Sequence, residues 1–169
     1  MNPAQNTSAM YTPRHLAAIF WAWAIAGTLD ISDALIFYRF ARGVHPTRLL
    51  QNIASGVMGL SAFQGGRATA LLGLALHYTI ALGATIVFYL LSRVISFMSR
   101  HPALAGLIYG LGVYLFMNFV VLPTAGMQHP HIPTSTILWV TLVNAVLAVM
   151  ICIGFTISMV VHRISPKVG

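Results

Sequence analysis

The chain has 169 residues, 58% of them hydrophobic and only 7% charged, against about 25% charged in ordinary soluble domains. So few charges cannot dress the surface of a soluble fold of this size, which leaves an integral membrane protein. The formal net charge of +7 does not point to nucleic acid, because the basic residues sit at the ends of apolar runs rather than in a groove interleaved with aromatics.

Residues 1–13 are polar and read as a flexible tail. The apolar run 16–38 follows Arg14 and is long enough to cross a hydrocarbon core of about 30 Å. The link from Arg39 to Arg48 is basic and turn-rich. After it, residues 49–63 fit a helix too short and too polar to cross, so an interfacial or re-entrant helix is predicted. A second span covers 68–92. Ser99-Arg100-His101-Pro102 then forms a short basic turn, with Pro102 suited to a helix start. The third span, 103–122, is closed by Pro123, and the link from Thr124 to Ser135 holds no Lys or Arg. A fourth span covers 136–161, and 164–169 form a short tail. The prediction is therefore all-α: one domain over residues 14–163, a four-transmembrane-helix bundle with one short interfacial or re-entrant helix.

Basic residues favour the cytoplasmic side of bacterial membrane proteins. Arg93, Arg100, Arg163 and Lys167 then place both termini in the cytoplasm. Arg39, Arg42, Arg48 and Arg67 are left outside, against the rule.

The chain owns two acidic residues, Asp30 and Asp33, both in the first span. An ionised carboxylate in hydrocarbon is costly, so it must face the bundle interior, find a partner or take up a proton. Counted at 1.5 Å per residue, Asp30 lies about 6 Å to the outer side of mid-span, His77 roughly 4 to 5 Å, Asn118 about 9 Å and Asn144 about 6 Å. One polar patch near the outer end of the bundle is expected from Asp30, Asp33, His77, Asn118, Asn144 and Tyr114.

Faces agree with depths. Gly27 accompanies the aspartates, Gly73 shares a face with His77, and Gly106, Gly110, Tyr114 and Asn118 recur every four residues, the small-residue spacing of close helix contact. Asn144, Ala148 and Cys152 form the matching seam of the fourth span. Arg39, Arg42 and Arg48 are candidate charge partners for the aspartates, which would let the short helix fold back and cap the bundle.

No metal site is predicted: His129 and His131 have a His-x-His spacing compatible with zinc or copper, but no Cys or acid stands near them. No phosphate-binding loop or nucleophile motif occurs, so a non-enzymatic protein without a cofactor is expected, with the lipid bilayer as its surroundings.

The stretches L-L-Q-N-I-A-S-G-V-M-G, G-L-A-L-H-Y-T-I-A and A-G-L-I-Y-G-L-G-V-Y-L-F-M-N-F-V-V-L-P resemble a group of small uncharacterised bacterial inner-membrane proteins with four predicted transmembrane helices. The resemblance runs from Gly27 to about Gly154. It implies a bacterial inner-membrane bundle and directs attention to Asp30, His77 and Asn118; it brings no activity with it.

Two functions are expected to compete. The first is a structural or accessory subunit that packs through its small-residue seams, as a homo-oligomer or within a larger membrane complex. The second is a proton- or cation-coupled transporter or channel using Asp30, Asp33 and His77. A subunit needs the aspartates dry and satisfied, with a small-residue face free for its partner. A transporter needs them wetted.

Overall fold

The computed structural model describes residues 8–126 and 135–165, all but the links in helical form. Helix α1 (Ser8–Arg42) leads to α2 (Pro46–Met58), a 3-10 segment (Gly59–Gln64), and α3 (Gly66–Val94). The five-residue α4 (Ser96–Arg100) joins it to α5 (Pro102–Phe116), which continues through a π-helical turn (Met117–Val121) into α6 (Leu122–Thr124). The last span is α7 (Thr136–Ala148), a π segment (Val149–Phe155) and α8 (Thr156–Ile164). Four stretches are long and apolar enough to cross a membrane: Arg14–Arg42, Gly66–Val94, Pro102–Thr124 and Thr136–Ile164. The protein is an all-α membrane bundle with both ends of the described chain on one side.

Two boundaries differ from the sequence reading. Helix α1 starts at Ser8, inside the expected tail, because extending a formed helix gains one hydrogen bond per residue fixed while starting one is costly. Pro123 sits inside α6 rather than ending the third span. Its missing N–H falls in the turn where the ladder has already shifted.

The centre of the bundle is built from small residues on α1. Ala18, Ala22 and Ala26 are fully buried, and Ala22 and Ala26 join Ile153, Ile157 and Val161 of the last span in one core cluster. Such contact lets backbones approach closely, the main source of helix association in lipid, where apolar side chains gain nothing by leaving the tails. Helix α5 packs antiparallel on the last span. A Cβ on Gly106 would lie 2.8 Å from the Gly154 carbonyl, and one on Gly110 would lie 2.6 Å from Met150 Cα. Ser158 Oγ donates to the Pro102 carbonyl at 2.6 Å, closing the end where Pro102 begins α5.

Helices α1 and α3 run antiparallel and are tied by side chains that bond main-chain carbonyls. Trp23 Nε1 donates to the Tyr78 carbonyl at 2.8 Å, and Thr28 Oγ1 bonds Tyr78 Oη at 2.9 Å. Nearer the other end, Tyr89 Oη bonds His15 Nδ1.

The short helix folds back along α3. Gln51 Nε2 donates to the Gly66 carbonyl (3.0 Å) and Thr69 Oγ1 (3.3 Å), and Gly73 lies directly against the Leu50 carbonyl and Ala54 N–H. Val57, further along α2, shares a cavity wall with Leu76 and His77. These pairings advance together, so α2 runs parallel to the first half of α3. At 1.5 Å per residue it reaches about 16 Å down from the level of Gly66. The chain then reverses at Gly59, whose φ of 62° favours glycine. The 3-10 segment climbs back and buries Ala62; Phe63 ends beneath the Arg48 guanidinium, 3.8 Å from the ring centre.

Candidate functional site

Between α2, α3, the π turn after α5 and the last span lies a cavity of about 340 Å³, whose wall is apolar except for Asp30, His77 and Asn52. Three features bring the polar groups there. Gly27 lets α3 come close to α1: a Cβ at that position would lie 3.1 Å from the Tyr78 ring. That closeness puts His77 Nε2 2.9 Å from the Gly27 carbonyl. A carbonyl only accepts, so Nε2 carries the hydrogen, and Nδ1 is the nitrogen left to take or give up a proton. Asp30 is one helical turn further along α1.

The two aspartates divide their roles. Asp33 accepts a 2.9 Å hydrogen bond from Asn144 Nδ2, which ties the first span to the last. Asp30 lines the cavity and accepts no hydrogen bond among the described residues; its electrostatic neighbours are His77 and Asp33. Cys152, half-buried, lies within electrostatic range of both carboxylates.

The expected arginine partners are elsewhere. Arg42 donates to Thr141 Oγ1 at 3.3 Å, Arg48 covers Phe63, Arg39 is exposed, and none of the three pairs with an aspartate. A guanidinium at a helix end keeps its hydration by reaching toward the interface, whereas pairing with Asp30 would draw it into an apolar cavity. The site is therefore acidic in an otherwise basic chain.

Of the other expected members, Tyr114 is buried, and Asn118 Nδ2 turns to its own helix, donating to the Tyr114 carbonyl at 2.9 Å. That bond occupies a carbonyl of the helical ladder at the start of the π turn. In the last span Thr156 Oγ1 similarly takes the Ile151 carbonyl, five residues back, at 3.0 Å. Both π segments border the cavity, through Met117 and Val121 on one side and Val149 and Ile153 on the other. Single π turns in α-helices recur at functional sites because they widen the helix and re-aim side chains.

The seams also resolve. Gly106 and Gly110 pack on the last span as expected, but the small residue opposite them is Gly154 and not the Asn144, Ala148 and Cys152 stripe. Gly73 serves the short helix instead of a neighbouring span. His129 and His131 lie outside the described residues. No cluster of three metal-ligating side chains occurs among the described residues. Asn52 and Gly56, which bring α2 to the cavity, escaped the sequence reading; their one signal was placement on the less buried side of a helix that buries Gln51 and Ala54.

No family model, curated protein or solved structure matches this chain. Its functional reading rests on the site.

Proposed function

We propose that this protein is a small proton- or cation-coupled transporter in which Asp30 is the cation-binding group and His77 the adjacent proton relay. The observation that carries the reading is the state of Asp30: a carboxylate that accepts no hydrogen bond among the described residues, has His77 and Asp33 as its electrostatic neighbours, and opens on a cavity within the bundle. Carboxylates within membrane spans mark ion and proton pathways when they face cavities. Taking up a proton or another cation relieves the cost of holding the Asp30 carboxylate in the bundle. His77 Nδ1 supplies a second protonation site beside it.

The accessory-subunit reading is second. Gly27, Gly73, Gly106, Gly110 and Gly154, which include all the glycines of the predicted seams, are spent inside the protomer. One observation favours it: Val57 and Leu60 of the re-entrant turn are 71% and 82% exposed, and irregular backbone at membrane depth calls for a protein covering. A homo-oligomer meets that need under either reading.

The resemblance drawn from the sequence supports a bacterial inner-membrane location, the distribution of basic residues supports cytoplasmic termini with the Arg39–Arg48 link outside, and the lack of a phosphate-loop or nucleophile motif supports a non-enzymatic role. Proteoliposomes loaded with a pH-sensitive dye test the proposal: an imposed gradient should produce flux through the wild type that Asp30→Asn and His77→Ala abolish at equal folded incorporation.

A further inference from the structure

The polar cavity is not closed on the lipid side. A groove of about 520 Å³ runs between α3 and α5, and its wall is apolar throughout. Ile80, Ala84, Val113, Met117 and Val121 line both spaces, so the groove and the cavity lie side by side. The two helices are held together beneath it, where Tyr109 Oη donates to the Ala84 carbonyl at 2.6 Å and Phe88 meets the Tyr109 ring edge-on at 5.0 Å. Gly83 and Gly112 border the groove and face open space, with no atom within 4 Å of where a Cβ would stand. An apolar groove on the outside of the bundle thus adjoins the cavity that holds the Asp30 carboxylate.

We infer that these adjoining spaces take a lipophilic monovalent organic cation, admitted sideways from the bilayer through the α3–α5 groove and held at Asp30. The inference deepens the cation-site reading and rests on it. Charge complementarity selects the class. The acidic end attracts a positive charge with no competing arginine, and the apolar wall suits a bulky hydrocarbon body better than a hydrated ion. A bare calcium or magnesium ion would require about six oxygen ligands, and the cavity offers one carboxylate with Asn52 and His77. Sizes in the range of about 300 to 1,000 Å³ are those of pockets for drug-sized ligands. Tyr109 and Phe116 in the groove wall present aromatic faces to a passing cation.

The test is binding of tetraphenylphosphonium by equilibrium dialysis to the full-length protein in nanodiscs, with protein-free nanodiscs subtracted. The probe carries a fixed charge and donates no hydrogen bond, so it reads charge and shape alone. Saturable binding is expected, weakened at least tenfold by Asp30→Asn and by Gly112→Leu, which adds bulk to the groove from a position whose Cβ has open space. Gly112→Leu should keep the wild-type melting temperature. Flux in the wild type with no saturable binding would overturn the organic-cation inference and leave the proposed function standing. Binding undiminished in Asp30→Asn would overturn it as well. An absence of both flux and binding would remove the cation-site reading itself.

Discussion

Asn144 and Asp33 lie 111 residues apart in sequence and share a hydrogen bond of 2.9 Å, the polar tie that fastens the last span to the first beside the cavity. Because this bond uses Asp33 and leaves Asp30 without a donor, the two carboxylates of the chain are separated into a structural and a chemical group. Hydrogen bonds between membrane helices contribute on the order of 1 kcal/mol, and bonds to charged groups somewhat more. Asn144→Leu should therefore lower stability by about 1 to 2 kcal/mol, read as a lower melting temperature in mild detergent. Unchanged melting would show that the bond holds nothing together.

The glycine contacts give a sharper contrast. At Gly110 a Cβ would stand 2.6 Å from Met150 Cα, whereas Gly112, two residues on, faces open space. Gly110→Leu should cost about 3 kcal/mol through forced separation of α5 from the last span, while Gly112→Leu should be neutral. Thermal melts of the two variants side by side decide it, and equal melting would refute the packing described here.

Helix α2 is held by the Gln51 side chain and by the flatness of α3 at Gly73. Gln51→Leu removes the bonds to Gly66 and Thr69 and leaves the Gly66 carbonyl without that partner. Amide exchange across residues 46–64 should accelerate roughly tenfold, the equivalent of about 1.4 kcal/mol, while the four spans keep their protection. Gly73→Ala, which drives a methyl group into the Leu50 carbonyl, should produce a larger opening of the same segment.

The re-entrant path is open to direct labelling. In a Cys152→Ser background, a membrane-impermeant thiol reagent should modify Gly43→Cys from one side of the membrane and Phe97→Cys from the other. Because α2 enters and leaves on one side, Arg67→Cys should label from the same side as Gly43→Cys. Labelling of these two from opposite sides would mean that residues 46–64 cross.

Much of the fold was legible in the sequence because hydrophobic length is nearly sufficient to mark a span, and all four spans stand where apolar runs place them. The short helix was recognisable by its polarity, and Gly106 and Gly110 by their spacing. Gly154 was missed because a lone glycine in an apolar run has no periodic partner in its own helix; its contact exists only across the interface with α5. The fully buried Ala18, Ala22 and Ala26 were missed for the opposite reason, since alanine is so common in apolar helices that its spacing carries little signal. Asp30, Asp33, His77 and Asn144 were identified as a group from rarity and depth. What could not be read was which aspartate the amide would take, and that the arginines would turn away. Both depend on side-chain reach in three dimensions, as do the π turns, where Asn118 and Thr156 compete for ladder carbonyls.

The division of labour between Asp30 and Asp33 is the centre of this account, and proton flux measured in proteoliposomes for Asp30→Asn and Asp33→Asn tests it most directly when both are incorporated to equal folded density. Asp30→Asn should abolish flux with little change in melting temperature, and Asp33→Asn should retain flux while melting lower. Flux that survives Asp30→Asn, or is lost only in Asp33→Asn, would contradict the assignment of Asp30 as the cation-binding group.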